Sequence, residues 1–326
     1  MANSHAYSEP VNGFRVSPYL QDKLLIISQQ MPFTQAHLLA RNLLGVTLCR
    51  STMVRLSQFY GDCIEAELNL PDMPTDTPTD TPTTVYGMAD GLMLHIDGAW
   101  AEVKLGRIFS QSDHQSSAVK DRAGQINRSL YVARVGHCDQ FWMHWQAHLL
   151  PFEPLGPDLV LVNDGAPWLA CRQQRDFTKA TPILDYYHVM EHIGKLAQAA
   201  ISQPKGRKDW IETQAKHLLS SDLHEVLMAL SRLGKAPVEV AKVRAYLNQN
   251  QYRMDYKAYQ GRGLCIGSGA IESATGAVVQ QRLKRAGQRW SSRGAQRMLN
   301  LRCCWMSDRW QLVESHLRPA SWAMVD

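Results

Sequence analysis

Residues 158–163, DLVLVN, place the tightest limit on what this chain can fold into. The run is short and continuously apolar through LVLV, without the alternation of a strand that shows one face to water. Such a strand belongs in the middle of a sheet covered on both faces, which is how parallel strands sit between helices. The neighbouring segments meet that demand. PWLACRQQRDF (167–177) and HVMEHIGKLAQAAI (188–201) read as helices, and ATPILDYY (180–187) as another strand. Upstream, TVYGMADGLMLHI (84–96) and AWAEVKLGRIF (99–109) read as strands joined at Asp97-Gly98, a pair suited to a tight hairpin turn. SLYVARVG (129–136) is a third strand and DQFWMHWQAHLL (139–150) a helix.

The order is therefore β-β-β-α-β-α-β-α, that of an α/β fold with an RNase H-like mixed sheet. Residues 195–260 are helical in pattern and polar on one side, which predicts a helical insertion. GLCIGSGAIESATGAVVQQRLKRAG then opens a late helix with Ser268 as its expected N-cap, and a last helix covers Ser291–Ser307. Before the sheet, residues 71–84 (PDMPTDTPTDTPTT) form a Pro/Thr/Asp repeat that can neither make a helix nor bury a face, so they read as a semi-extended linker. The expected organisation is an N-terminal all-α region over 1–70, the linker over 71–84, an RNase H-like domain over 85–194 and 261–317, and the insertion over 195–260.

Within the N-terminal region, residues 31–61 show two apolar helical stretches broken at Gly45, the second starting near Ser51 and Thr52. Helix, tight turn, helix is the helix-turn-helix pattern, although an ordinary helical hairpin shares it. Arg41, Arg50 and Arg55 fall in a stretch from Phe33 to Gly61 that contains no acid, which suits phosphate contact. The formal charge is +5, but nine Lys/Arg between Arg262 and Arg309 face only Glu272 and Asp308, so that stretch holds +7 and the rest about −2. A basic face this poor in acids is a polyanion footprint or a solubilising helix face. Its candidate DNA contacts are Arg282, Lys284, Arg285, Arg289, Trp290, Arg293 and Arg297; Trp290 could stack on a flipped base, but core packing is the preferred reading for it. The seven cysteines form no CxxC pair, predicting reduced and mostly buried thiols. No apolar run nears the roughly 20 residues of a membrane helix, and no secretory apolar core opens the chain, so a cytoplasmic, membrane-free protein is expected.

Metal-dependent phosphoryl transfer needs three or four carboxylates converging from different elements around two ions roughly 3.5–4 Å apart. In a sheet of this kind the positions are the first strand, the end of the fourth and a late helix. Asp90 lies in the first strand (MADGLML), Asp164 ends the fourth (LVLVNDG), and Glu272 is on the first turn of the late helix (IGSGAIES). Each alone is as well explained by a turn or a helix start; their joint order is what points to chemistry. Asp97 competes with Asp90 but fits the hairpin turn.

ADGLML with AWAEVKLGRIF, VNDGAPWL with TPILDYYHVMEHI, and RMDYKAYQGRGLCIGSGAIESATGAVVQQRLKRAGQRWSSRGAQRMLNLR carry a resemblance. The chain resembles bacterial insertion-sequence transposases of the ISKra type, related to the Mutator-like DDE superfamily, from about residue 86 to 305. The resemblance implies Asp90, Asp164 and Glu272 as the catalytic, metal-binding triad, with two Mg²⁺ (or Mn²⁺) ions. It also implies a helical insertion before the Glu-bearing helix, double-stranded DNA (terminal inverted repeats and target) as partner, and a homodimer or larger synaptic assembly. The chain begins almost at the helix-turn-helix, so family members' additional N-terminal sequence is expected to be shortened here. Asp185, His188 and His192, after the fifth strand, are expected to buttress the site or to serve the fold alone. His188, Glu191 and His192 also spell H-x-x-E-H, a zinc-protease motif, which leaves the acids and the basic stretch unexplained. A relative that binds DNA without cutting it is the other competing reading.

Overall fold

The computed structural model describes residues 11–71, 84–115 and 124–318, so almost all of the expected 71–84 linker lies outside the described residues. The strands are β1 (Val85–Ile96), β2 (Ala99–Ser110), the two-residue β3 (His114–Gln115) and β4 (Gln125–Ile126), β5 (Leu130–Val135), β6 (Leu159–Asn163) and β7 (Thr181–Leu184). Five form one mixed sheet in the order β5-β2-β1-β6-β7, while β3 and β4 pair with each other. Helices α1 (Pro18–Gln30), α2 (Phe33–Leu44), α3 (Arg50–Cys63), α4 (Glu65–Leu68) and α5 (Cys138–Leu149) precede β6. After it come α6 (Pro167–Asp176), α7 (Tyr186–Ala200), α8 (Pro204–Leu219), α9 (Leu223–Ser231), α10 (Pro237–Asn250) and α11 (Tyr256–Gly261). The chain ends with α12 (Gly269–Ala274), α13 (Gln281–Leu283), α14 (Ser292–Met306) and α15 (Gln311–Leu317).

Packing divides the chain into two units, one of Met1–Pro82, Asp90–Pro151 and Ile271–Asp326, the other of Thr83–Ala89 and Phe152–Ala270. This differs from the boundaries expected from composition. The N-terminal helices do not stand apart: α1 and α3 pack on α14 in the first unit. Residues 195–260 likewise join the second unit, where α8 and α10 pack on α7. The composition break at 71–84 marks a change in polarity, whereas the units follow where apolar faces meet.

In the first unit, Asp97 and Gly98 take φ of 51° and 82°, the left-handed pair that a two-residue hairpin turn requires. β2 runs antiparallel to β5. The outer edge of β5 is closed by α14: Gln296 Nε2 donates to Ala133 O at 3.0 Å, Gln296 Oε1 accepts from Val135 N at 2.9 Å, and Ser307 Oγ from Tyr131 N. An exposed strand edge is thereby satisfied by side chains rather than left to pair with another chain. Gly106 in β2 lets the Trp145 ring of α5 lie on the sheet, since a Cβ there would meet the indole at 2.3 Å. α3 and α14 approach closely at Gly61, whose carbonyl accepts from Asn300 Nδ2 at 2.9 Å.

Arg297 of α14 forks onto Asp62 of α3, with Nε to Oδ1 at 2.6 Å, and Arg293 adds a second contact at 3.0 Å. The hydrogen bonds and charge of Arg297 hold the Asp62 carboxyl below the ordinary carboxylate range. A carboxyl so lowered stabilises the fold above the unfolded value of about 4 and stops doing so as pH falls through its lower folded value. Asp62→Asn is therefore expected to flatten the loss of stability on acidification below about pH 4, measured by urea denaturation across pH, relative to the native chain.

In the second unit, Val85–Met88 of β1 run parallel to β6, and β6 parallel to β7. All five residues of β6 are buried, as the apolar run demands. The outer edge of β7 carries Pro182, tolerated because an edge needs no donor there. Its carbonyls at Pro182 and Leu184 accept from Tyr259 and Tyr256 hydroxyls at 3.0 and 3.1 Å. β7 stops at Leu184, earlier than the sequence predicts, because the Asp185 carboxylate caps α7 by accepting from Tyr187 N at 2.7 Å.

Candidate active site and nucleic-acid face

Asp164 follows the last residue of β6, at the carboxyl end of a buried parallel strand, where open α/β sheets present ligands. Its turn is built from the inside. Asn163, fully buried, accepts from Arg253 Nη1 at 2.6 Å and from Gly165 N at 3.0 Å, and donates to Gln173 Oε1 at 2.7 Å. Gly165 takes φ +99°, a conformation that a side chain resists, and a Cβ there would strike the Tyr246 ring at 2.9 Å. Tyr246 of α10 donates its hydroxyl to Asp164 O at 3.0 Å. Asp164 Oδ1 accepts from Ala166 N at 3.0 Å, so one carboxylate oxygen is fixed by the start of α6. The half-buried carboxylate is thus held by a turn with little freedom.

The end of β7 lies in the same unit. Asp185 N donates to Asn163 O at 2.9 Å, tying the two strand ends together. Asp185 is 2% exposed and its Oδ2 accepts from Ser268 Oγ, while Tyr186 N donates to Ile266 O. Ser268, expected as a helix N-cap, donates its hydroxyl to Asp185. His188 and His192, one turn apart on α7, bring their Nε2 atoms to 3.3 Å, and the Tyr246 ring lies 4.5 Å from that of His192. Burial pushes His192 below the ordinary histidine range, with His188 adding to the effect. Glu191 is exposed and pairs with Lys195 at 2.6 Å.

Asp90 and Glu272 belong to the first unit. Asp90 lies half-buried in β1, its Oδ1 accepting from Gly91 N at 2.7 Å. Gly91 makes room for Glu102 of β2, whose Oε1 would lie 2.3 Å from a Cβ there. Glu102 in turn pairs with buried Lys104 at 2.7 Å. Glu272 is exposed on α12. The structure therefore gathers Asp164, Asp185, His188 and His192 in one unit, and describes Asp90 and Glu272 with the other. Among the described residues, His137, Cys138 and Asp139 are a group of three potential ligands whose donor atoms all lie within 4.8 Å. Asn163, Tyr246, Arg253 and Glu102 had escaped sequence reasoning. Tyr246 and Arg253 sit in a region read only as amphipathic helix, and Glu102 in a strand read only for its pattern.

The basic residues divide. Arg41, Arg50 and Arg55 are exposed on α2 and α3, and Arg50, Arg55, His37 and Ser51 line a concavity there. A second concavity is lined by Val54 and Gln58 of α3 with Arg289, Ser291 and Arg297. Lys284, Arg285, Arg289 and Arg293 are exposed. Arg282 is a correction: it is 0% exposed, donates to Ser28 O at 2.8 Å, and lies over the Phe33 and Trp290 rings at 4.7 and 5.1 Å. A guanidinium enclosed this way fastens the helices and is not presented to a phosphate. Trp290 is half-buried, with its Nε1 donating to Leu283 O at 3.1 Å and the Arg282 guanidinium over its ring. Arg297 is occupied by Asp62, which makes it a cross-brace. The thiols also differ from expectation, for only Cys303 and Cys304 are buried, although none of the seven is in a disulfide. Among the described residues no helix is long and apolar enough to cross a membrane.

The model of an uncharacterised protein family, UPF0236, matches residues 90–314. A protein of Streptococcus gallolyticus described as "UPF0236 protein in vanSb 3'region" is 24% identical over 298 residues, covering 88% of this chain. The chain spans 63% of that relative's length.

Proposed function

The chain belongs to the UPF0236 family, and we propose that it is a DDE-type transposase of an insertion sequence, cutting and joining DNA at the element's ends by metal-dependent phosphoryl transfer. The observation that carries the reading is the Asp164 turn: a carboxylate held at the carboxyl end of a buried parallel strand by Asn163, Ala166, Tyr246 and Arg253. The strand order β5-β2-β1-β6-β7, with β6 and β7 parallel and β2 antiparallel to β5, supports an RNase H-like sheet. Asp90 on the central strand and Glu272 on the first turn of α12 complete the donor set.

That set fits Mg²⁺ or Mn²⁺, because carboxylate oxygens are the hard ligands these ions take. Asp164 keeps Oδ2 available while Oδ1 is spent on Ala166 N. When bound by Asp90, Asp164 and Glu272, such ions supply Lewis-acid activation for in-line displacement at phosphorus. The chain's own contribution is orientation and charge. The turn prevents Asp164 from swinging away, Asp185 fixes the loop of Ile266–Ser268, and exposed Arg50, Arg55, Lys284, Arg285 and Arg289 neutralise the phosphate backbone.

The test is incubation of the purified chain with Mg²⁺ and DNA ending in the inverted repeats that flank its gene. Nicks with free 3′-hydroxyls at the repeat ends, abolished by chelation, are expected. Tight binding without nicking would instead identify a DNA-binding relative that has lost catalysis. The basic face makes its own prediction. Arg50→Ala with Arg55→Ala should weaken DNA binding at all sequences, and the slope of log affinity against log salt should fall by about 1 for each arginine removed from a phosphate. An unchanged slope in a filter-binding titration would remove α3 from the interface.

A further inference from the structure

The proposed strand cleavage makes no direct use of His188 and His192, yet their geometry is specific. Both lie on α7, four residues apart and therefore on one face, with their Nε2 atoms 3.3 Å apart and their rings at 84°. Two imidazole nitrogens bound tetrahedrally to one zinc ion at about 2.0–2.1 Å each stand about 3.3–3.4 Å from one another. The pair already has that separation. The side chains are also supported as metal-binding histidines usually are. His188 Nδ1 stands 3.6 Å from the Glu191 carboxylate, the kind of carboxylate neighbour that orients a metal-binding imidazole. Tyr246 packs its ring against His192 and so limits the rotamers of that imidazole. His188 keeps 33% of its side chain exposed, so an ion has a path from solvent.

We propose that His188 and His192 form a binding site for a borderline transition-metal ion of the Zn²⁺ class, with water completing the coordination. The proposal uses imidazole ligands rather than the carboxylates proposed to take Mg²⁺ and does not depend on that reading. Imidazole nitrogen prefers Zn²⁺, Co²⁺ and Ni²⁺ to Mg²⁺, so the two kinds of ion are sorted by ligand chemistry. Two protein ligands form an open site, unlike the closed four-ligand sites that support folds. The ion would sit beside the Asp164 turn through Tyr246, which touches both. The H-x-x-E-H spelling is thereby given a metal without a protease.

The experiment titrates Zn²⁺ into the full-length chain by calorimetry, carrying His137→Ala and Cys138→Ser so that the exposed trio at the start of α5 contributes nothing. One equivalent is expected to bind with millimolar Mg²⁺ present. His188→Ala and His192→Ala should each weaken binding at least tenfold. A companion measurement uses the unaltered chain: Zn²⁺ should protect His188 and His192 together from diethyl pyrocarbonate, mapped by mass spectrometry. The absence of any Zn²⁺ binding, affinity unchanged in both histidine variants, or protection of only one of the two histidines overturns the proposal. Because no readout involves DNA, these outcomes leave the transposase reading untouched.

Discussion

Asp164→Asn is expected to lower Mg²⁺-dependent strand cleavage by at least about 10²–10³-fold, the scale on which removal of one preorganised electrostatic group acts. DNA affinity should stay within about twofold, because the basic contacts carry the binding. The substitution is unusually clean. Asparagine keeps an oxygen where Asp164 Oδ1 accepts from Ala166 N, and the backbone carbonyl that takes the Tyr246 hydroxyl is unaltered. The turn should therefore stay folded while the negative charge is lost. Single-turnover cleavage and equilibrium binding on the same duplex separate the two quantities. Cleavage at the native rate by Asp164→Asn would remove Asp164 from the reaction.

Arg302→Ala is the substitution expected to cost most in stability, about 3–5 kcal/mol, because it leaves several buried acceptors without their donor. Arg302 is 2% exposed in α14. Its Nε donates to Val278 O at 3.2 Å and its Nη2 to Ala277 O, carbonyls of a π-helical segment over Thr275–Gln280. Its Nη1 reaches Gln29 Oε1 at 2.8 Å and Gln30 Oε1 at 3.1 Å on α1. Truncation strands several buried acceptors at once, each of which costs about 1–3 kcal/mol when left unmade. Arg302→Lys should recover part of the loss, since one ammonium cannot replace a planar fork. Thermal unfolding followed by circular dichroism should show a midpoint lower by roughly 5–10 °C for Arg302→Ala. A midpoint within about 1 °C of native would show that the network is not needed.

The same residue explains why the basic stretch was only half legible. A sequence shows charge but not enclosure, so Arg282, Arg302 and Arg309 counted towards a polyanion footprint although all three are buried. Arg309, for example, donates to the carbonyls of Leu68 and Glu67 at the end of α4. The strands were legible because their patterns are local: an apolar β6, and an Asp97-Gly98 turn that only a tight hairpin requires. The division into units was not, because it depends on which apolar faces meet over long sequence separations. Asp164 could be singled out by its place after an apolar strand. Its clamp could not, since Asn163, Gly165, Tyr246 and Arg253 come from segments up to ninety residues apart.

Iron-directed self-cleavage tests most directly whether Asp90, Asp164 and Glu272 hold ions together. Fe²⁺ takes the place of Mg²⁺ at carboxylate sites and, with ascorbate and peroxide, breaks nearby backbone. With Zn²⁺ present to fill the imidazole pair, fragments ending close to all three acids are expected, and excess Mg²⁺ should suppress all three cuts in parallel. Cuts near only one of them, or cuts that Mg²⁺ leaves unchanged, would contradict a shared metal site.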